Sequence, residues 1–306
     1  MRSRPMSTFA LVAVLVLALA ACGGADDASG GGGSEAASAE DGNEFGLVNP
    51  EDAALIVCSD SPYQPFEFQE EGEWTGFDVD LVNAIANGLP LATEYRVTPF
   101  DAIQSGAALN AGQCDIAASA MTITEERAQN LEFSDPYFDA DQSLMVATDD
   151  AGTYAALDAL SGQRIGVQAS TTGQRYAEDN APDDAEIVEY PDASALFQAL
   201  QGGEIAAVLQ DFPVNAYFAT QNDTVTVVER YETGEQYGFA AKKDNTALIE
   251  AINEELERLR GDGTYDAIYT EWFGEAPEAA PSEAASEAAG ASEGASQVAV
   301  PSESGS

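Results

Sequence analysis

The stretch Cys114-Asp115-Ile116-Ala117-Ala118-Ser119-Ala120-Met121-Thr122-Ile123-Thr124-Glu125-Glu126-Arg127 decides how this chain is read. Cys114 to Ser119 is short and mostly apolar, as a buried strand would be. Hydroxyl residues follow, and Thr122 and Glu125 stand in capping-box spacing, which predicts a helix start. Free amides at such a start favour an anion, and the Arg127 guanidinium is a planar fork matched to a carboxylate. Taken alone, the same run also fits an ordinary capped and charged helix start, so the surrounding chain has to arbitrate.

On both sides strands alternate with helices. The continuous apolar run 53–58 predicts a strand buried on both faces, and 94–98, 164–167 and 206–210 read as further strands. Val79, Val82, Ile85 and Ala86 mark one helical face. Leu248, Ile252, Leu256 and Leu259 mark another, expected to stop at Gly261 before Thr264 caps a last short helix. Such alternation predicts α/β lobes built on parallel sheets. Ligands of that class bind beyond the carboxyl ends of the strands, where the loops 59–66 and 170–173 fall. Asp78 and Asp80, after Gly76-Phe77, suit the first turn of a helix better than a metal site. Cys58 and Cys114 fall on segments read as neighbouring parallel strands, but at different heights. That favours two buried thiols over the disulfide that an even pair in an exported chain invites.

Composition narrows the chemistry. The 306 residues carry 54 acids against 11 bases, a formal charge of −43, with no histidine. Such a surface repels nucleic acid and anionic lipid and attracts cationic solutes. Without an imidazole there is no Ser/His/Asp or Cys/His nucleophile system and no histidine-containing zinc site. No phosphate loop and no strand-linked dinucleotide fingerprint occurs, so no cofactor and no metal is expected. Carboxylate chemistry stays open, but no acid/base pair stands out.

At the amino end Arg2 and Arg4 precede an apolar run from Phe9 to Ala21. It is too short to cross a bilayer, which takes about 20 apolar residues, and fits a signal peptide over 1–21. Leu19-Ala20-Ala21-Cys22 resembles a bacterial lipobox, in which Cys22 takes the lipid and becomes the mature terminus. Residues 22–45 and 276–306 are mostly Gly, Ala, Ser, Asp, Glu and Pro with almost no aromatic, and read as a flexible acidic linker and a disordered acidic tail. Between them nothing repeats at solenoid periods, and nothing is long and apolar enough to span a membrane.

Asp60 to Phe68 with Gly76-Phe77-Asp78-Val79-Asp80, the opening stretch, Phe133 to Tyr137, Gly166-Val167-Gln168, Tyr237-Gly238-Phe239-Ala240 and Asp262-Gly263-Thr264-Tyr265-Asp266 with Trp272-Phe273-Gly274 occur in one order. Over roughly 46–275 this order closely resembles the family 3 solute-binding proteins, the polar amino-acid receptors of bacterial ABC importers. The resemblance implies an α/β, two-lobe periplasmic-binding-protein-like fold of type II. Each lobe would be a mainly parallel sheet flanked by helices. Lobe 1 would hold 46–138 plus 238–275 and lobe 2 would hold 142–233, with hinge crossings near 137–142 and 233–237.

It also implies a site. Arg127 would grip the ligand's α-carboxylate, helped by Thr122 and the backbone at Ser119, with Ala120 counted among the contacts. Thr172 and the amides around Ser170 would complete that contact from lobe 2. Asp211 would pair with the α-ammonium. Tyr63 and Phe100 match positions that sandwich the side chain, and Asp60, Gln168 and Gln210 match positions lining its far end. Two departures stand out: Ser170 replaces the family's usual glycine, and 104–109 is about two residues longer than its common form.

Apart from Arg127 no base occupies a matched pocket position, so a second ligand carboxylate would be buried unpaired, which is costly. Basic and amide amino acids are therefore expected ahead of glutamate or aspartate. The expected protein is not an enzyme. It is a monomeric receptor, lipid-anchored through Cys22 on the extracellular face of the membrane, that delivers an amino acid to an ABC permease. Two alternatives are an exported cyclohexadienyl or arogenate dehydratase-like enzyme on the same scaffold, and a ligand-sensing lipoprotein uncoupled from import.

Overall fold

The structure, a computed structural model, describes residues 44–274. The signal peptide, Cys22, nearly all of the linker and the tail lie outside the described residues. The chain begins with strands β1 (Ala54–Ser59), β2 (Phe68–Glu70) and β3 (Glu73–Thr75), then helix α1 (Phe77–Gly88) and strand β4 (Ala92–Val97). Short helices α2 (Phe100–Gln104) and α3 (Ala107–Asn110), strand β5 (Ile116–Ala117), helix α4 (Glu125–Ala128) and strand β6 (Leu131–Phe133) follow. The long β7 (Phe138–Ala147) leads to β8 (Arg164–Gln168), α5 (Thr172–Asn180), β9 (Glu186–Tyr190), α6 (Ala193–Gln201), β10 (Ala207–Asp211) and α7 (Phe212–Gln221). The equally long β11 (Val225–Tyr237) leads back to β12 (Ala240–Lys242), α8 (Thr246–Asp262) and α9 (Thr264–Phe273).

Two five-stranded sheets result, ordered β4-β1-β5-β12-β6 and β11-β7-β10-β8-β9, beside a β2-β3 hairpin. Both sheets are mixed. β1 runs parallel to β4 and β5, whereas β12 runs antiparallel to β5 and β6. In the second sheet β8 is parallel to β9 and β10, and β7 is antiparallel to β10 and β11. β1 is a run of Ala, Leu, Ile, Val and Cys because both of its faces are covered. No helix among the described residues is long and apolar enough to cross a membrane.

The first lobe's helices lie where the apolar spacing puts them. α1 buries Val79, Val82, Ile85 and Ala86, with Asp78 and Asp80 in its first turn. Gly76 leads into it at φ 128°, and a Cβ there would lie 2.1 Å from the Phe66 carbonyl oxygen, so no side chain fits. Where the sheets meet, aromatics fill the junction. Tyr137 stacks on Phe239 at 4.2 Å between centroids, and Phe138 of β7 stacks on Tyr237 of β11 at 5.7 Å.

Four expectations are corrected. Cys58 and Cys114 are bonded, with Cα atoms 5.7 Å apart. Cys114 lies before the two-residue β5, so parallel-strand register does not measure its distance from β1. The capping box on Thr122 does not form: Thr124 caps α4, its hydroxyl accepting the Arg127 N–H at 3.2 Å. α8 runs past Gly261 and ends at Gly263, whose φ of 82° suits glycine. α9 has no side-chain cap from Thr264, whose N–H instead donates to Asp262 Oδ1 at 2.9 Å.

Candidate functional site

The carboxyl ends of β1, β8 and β10 and the turn after β5 converge on one chamber between the two sheets. Its walls include Asp60 and Tyr63 after β1, Phe100 at the start of α2, and Ser119, Ala120 and Thr122 after β5. Arg127 of α4 completes the first lobe's side; Gln168, Thr171, Thr172 and Asp211 form the other. The walls approach closely, leaving about 10 Å³, room for about one water molecule.

Arg127 and Asp211 are the two charges that matter most. Arg127 is buried, stacked over the Phe100 ring at 5.2 Å from its centroid. Its Nη1 donates to the Thr122 carbonyl at 2.8 Å and its Nη2 to the Ser170 carbonyl of the other lobe at 3.2 Å. Among the described residues no carboxylate lies within ion-pair distance of it. Burial lowers its pKa to about 10.

Asp211, at the end of β10, is also buried, and its partners are neutral. Tyr63 Oη and Tyr237 Oη donate to Oδ2 at 2.8 and 2.5 Å, and Gln142 Nε2 donates to Oδ1 at 2.6 Å. Burial, followed by the charge of Glu235, pushes its pKa up to about 6. The base is thus held by carbonyls and the acid by hydroxyls and an amide. Neither has its counter-ion within the described protein.

At another edge Gln168 Nε2 donates across the lobes to Asp60 Oδ2 at 2.7 Å. Burial raises Asp60 to about 6, opposed by that hydrogen bond and assisted by Asp192 and Asp101. Gln168 Oε1 is buried without a donor among the described residues, so this edge offers acceptors.

The remaining expected residues divide. Thr122 Oγ1 and Thr172 Oγ1 approach each other at 3.3 Å across the lobes. Ser119 and Ala120 line the floor. Ala120 sits at φ 42° and Ser170 at φ 67°, so the serine that replaces the family's glycine adopts the backbone a glycine would favour. Ser170 does not line the chamber; its carbonyl accepts Arg127 Nη2 from behind the wall. Gln210 does not line it; its side-chain amide is buried with no partner among the described residues. The long 104–109 segment resolves into α2 and α3, separated by Gly106 at φ 78°.

Glu235 belongs to the site although no motif announced it. The pairing of β11 with β7 slips between Tyr231 and Glu235, and the strand turns at Gly234, φ 66°. Glu235 Oε2 then accepts Thr172 Oγ1 at 2.6 Å and Thr122 Oγ1 at 3.0 Å, one hydroxyl from each lobe. Gln142, which binds Asp211, also reaches Glu235 at 3.3 Å. Gln142 and Thr171 likewise escaped the motif reading. Among the described residues no cluster of His, Cys, Asp and Glu is arranged to hold a metal.

Comparison with known proteins agrees with this architecture. Residues 55–275 match the family model described as bacterial extracellular solute-binding proteins, family 3. A probable histidine-binding protein of Neisseria gonorrhoeae is 31% identical over 273 residues, 87% of this chain and 94% of the relative. The ABC transporter glutamine-binding protein GlnH of Bacillus subtilis (strain 168) is 34% identical over 209 residues, 67% of this chain and 75% of the relative. The solved structure of an ancestral arginine-binding protein bound to glutamine superposes with a TM-score of 0.68 at 37% identity, covering 73% of this chain and 99% of that one.

Proposed function

We propose that this chain, which belongs to the bacterial extracellular solute-binding proteins of family 3, captures a free polar amino acid between its lobes and delivers it to an ABC permease. The observation that carries this reading is the pair of unmatched buried charges. Arg127, held only by carbonyls, takes the ligand's α-carboxylate; Asp211, held only by neutral donors, takes its α-ammonium. A zwitterion supplies to each the counter-ion that the protein withholds. Thr122 and Thr172 assist the carboxylate end, and Tyr63 and Phe100 flank the ligand's side chain.

The far end favours a basic or amide side chain. Asp60 and Gln168 present acceptors there, and among the described residues Arg127 is the one base lining the chamber. A second ligand carboxylate would meet no cation. That weighs equally against glutamate and against the diacid that a cyclohexadienyl dehydratase would turn over. The relatives described above are named as binding proteins, which also favours a receptor over an enzyme.

Because the closed walls leave about 10 Å³, entry of an amino acid requires the lobes to part, and β7 and β11 are the crossings about which they do so. Lobe 1 is taken as 46–138 plus 238–275 and lobe 2 as 142–233. The receptor acts as a monomer tethered to the extracellular face of the cell membrane through lipid on Cys22.

A thermal-shift screen against the twenty amino acids plus ornithine, citrulline and cystine, followed by calorimetry, tests the reading. Arginine, lysine, ornithine, histidine or glutamine should stabilise the protein, and Arg127→Gln should weaken capture by at least about 100-fold, the cost of stranding one end of a buried ion pair. Tight binding of glutamate with none of these, or capture indifferent to Arg127→Gln, overturns it. Rapid turnover of prephenate would favour the enzyme instead.

A further inference from the structure

Beneath the chamber floor lie two carboxyl groups with no base beside them among the described residues. Glu67 follows the loop that carries Tyr63, Asp78 opens α1, and both side chains are fully buried. Glu67 Oε1 accepts Ser119 Oγ at 2.8 Å, and Ser119 Oγ in turn accepts the Asp60 N–H at 3.0 Å. Asp78 Oδ2 accepts the Ala120 N–H at 2.9 Å and Tyr137 Oη at 2.7 Å. The two acids therefore hold both residues of the floor turn, including Ala120 in its left-handed conformation. Through Ser119 and Tyr137 they also reach the pocket acid Asp60 and the start of the β7 crossing.

The remaining oxygens are orphans. Glu67 Oε2 and Asp78 Oδ1 are buried with no hydrogen-bond partner among the described residues. Two bare carboxylates so placed would repel each other in a medium that cannot screen them. The chain brings them together, the Asp78 N–H donating to the Phe66 carbonyl at 3.0 Å, and one proton held on the pair would relieve that repulsion, because a protonated carboxyl donates and an ionised one accepts. Asp78, already accepting from two donors, is the better anion; Glu67, with one donor, is the better acid.

We propose that Glu67 and Asp78 share one proton and act as positioning residues that hold the Ser119–Ala120 turn in the shape the ligand site needs. Burial, then the charge of Asp78, raises Glu67 well above the usual carboxyl range. Burial also pushes Asp78 up to about 7, with the Ala120 amide and the Tyr137 hydroxyl opposing. The groups facing the pair add no cation: Asp60 and Asp211 from the chamber, Tyr63 and Tyr137 at its sides, and Tyr95 across α1. Retention of the proton in neutral solution follows from that surrounding.

The ligand arm of this proposal rests on the function proposed above; its other arms do not. Infrared spectra of the ligand-free protein at about pH 8, where ordinary carboxyls are ionised, should show the carbonyl stretch of a protonated carboxyl that Glu67→Gln removes. The Ala120 amide resonance in a ¹⁵N-labelled sample should move in Asp78→Asn. With L-arginine as probe, Glu67→Ala should lose about tenfold in affinity, the scale of one buried hydrogen bond to a charged group, and Glu67→Gln should restore most of it. No such band, a band that survives Glu67→Gln, or an Ala120 resonance unmoved by Asp78→Asn overturns the shared proton. Should Glu67→Ala fail to fold, the infrared comparison with Glu67→Gln decides alone. Failure of L-arginine and every other amino acid to bind the unaltered protein would sink the proposed function and leave these ligand-free readouts standing.

Discussion

Tyr63 Oη donates to Asp211 Oδ2 at 2.8 Å, so a side chain of the first lobe and an acid of the second meet directly. Tyr237 donates to the same oxygen. One carboxylate therefore reports on both the loop after β1 and the returning crossing. Asp211→Asn should weaken amino-acid capture by about 2–3 kcal/mol, because the ligand ammonium is left buried beside a neutral amide. Tyr63→Phe, which removes one of three donors, should cost about 1 kcal/mol. Calorimetry orders the two; an Asp211→Asn protein that binds as tightly as its parent would refute the assignment of the ammonium.

Glu235 joins Thr122 to Thr172 through its carboxylate. Glu235→Ala should loosen the closed arrangement and lower ligand affinity by about 1–2 kcal/mol, the value of hydrogen bonds to one charged acceptor. Its charge also raises Asp211, so the variant should bind an ammonium less sensitively to acid. Small-angle scattering with saturating ligand and a titration of affinity against pH read these effects. An unaltered scattering curve together with an unaltered pH response contradicts the bridge.

Proton binding sets the pH response of stability. Burial pushes Asp60 and Asp211 up to about 6 and Asp78 to about 7, whereas an unfolded aspartate titrates near about 3.9. The folded chain thus binds more protons across roughly pH 4–7, and its stability falls as pH rises through that window. The melting temperature should be higher at about pH 5 than at about pH 7.5. A cationic ligand reverses the preference at Asp60 and Asp211, so binding should release protons at about pH 6 and weaken below it. Calorimetry in buffers of different ionisation heat measures that release; a melting temperature that climbs across the window counts against the assigned burial.

Cys58 and Cys114 close a loop across 56 positions of sequence. Cross-linking that span restricts the unfolded chain, and its reduction should lower stability by about 2–4 kcal/mol. Urea unfolding with and without reductant tests this, as does thiol titration of protein lacking Cys22, which should find no free thiol before reduction. Two titratable thiols in the oxidised, unfolded protein would restore the reading from strand heights.

What could be read ahead of the structure divides along physical lines. β1, α1 and α8 are legible because burial on two faces, or on one helical stripe, writes itself as apolar period. That Arg127, Asp211, Asp60 and Tyr63 meet at one chamber is legible through the family resemblance. Glu235 and the Glu67–Asp78 pair are not: in a chain with 54 acids, one glutamate carries no mark of what it faces. Only the β11 irregularity turns Glu235 toward the threonines. The caps misled for a related reason. Thr122 and Thr124 offer the same hydroxyl two residues apart, and Thr122 is drawn instead into a bridge with Tyr237, leaving Thr124 to start the helix. Cys114 misled because a strand of two residues is too short to carry a register inward.

β12 lies between β5 and β6, so the sheet of the first lobe is zipped shut by a segment more than a hundred residues downstream of the strands it joins. A chain emerging amino end first has every strand of the second sheet in hand by Tyr237, while Ile116–Ala117 and Leu131–Phe133 still present unpaired backbone. The later lobe in sequence is the earlier one able to mature. The earlier lobe must wait, open-edged and prone to stray pairing, until the final strand arrives.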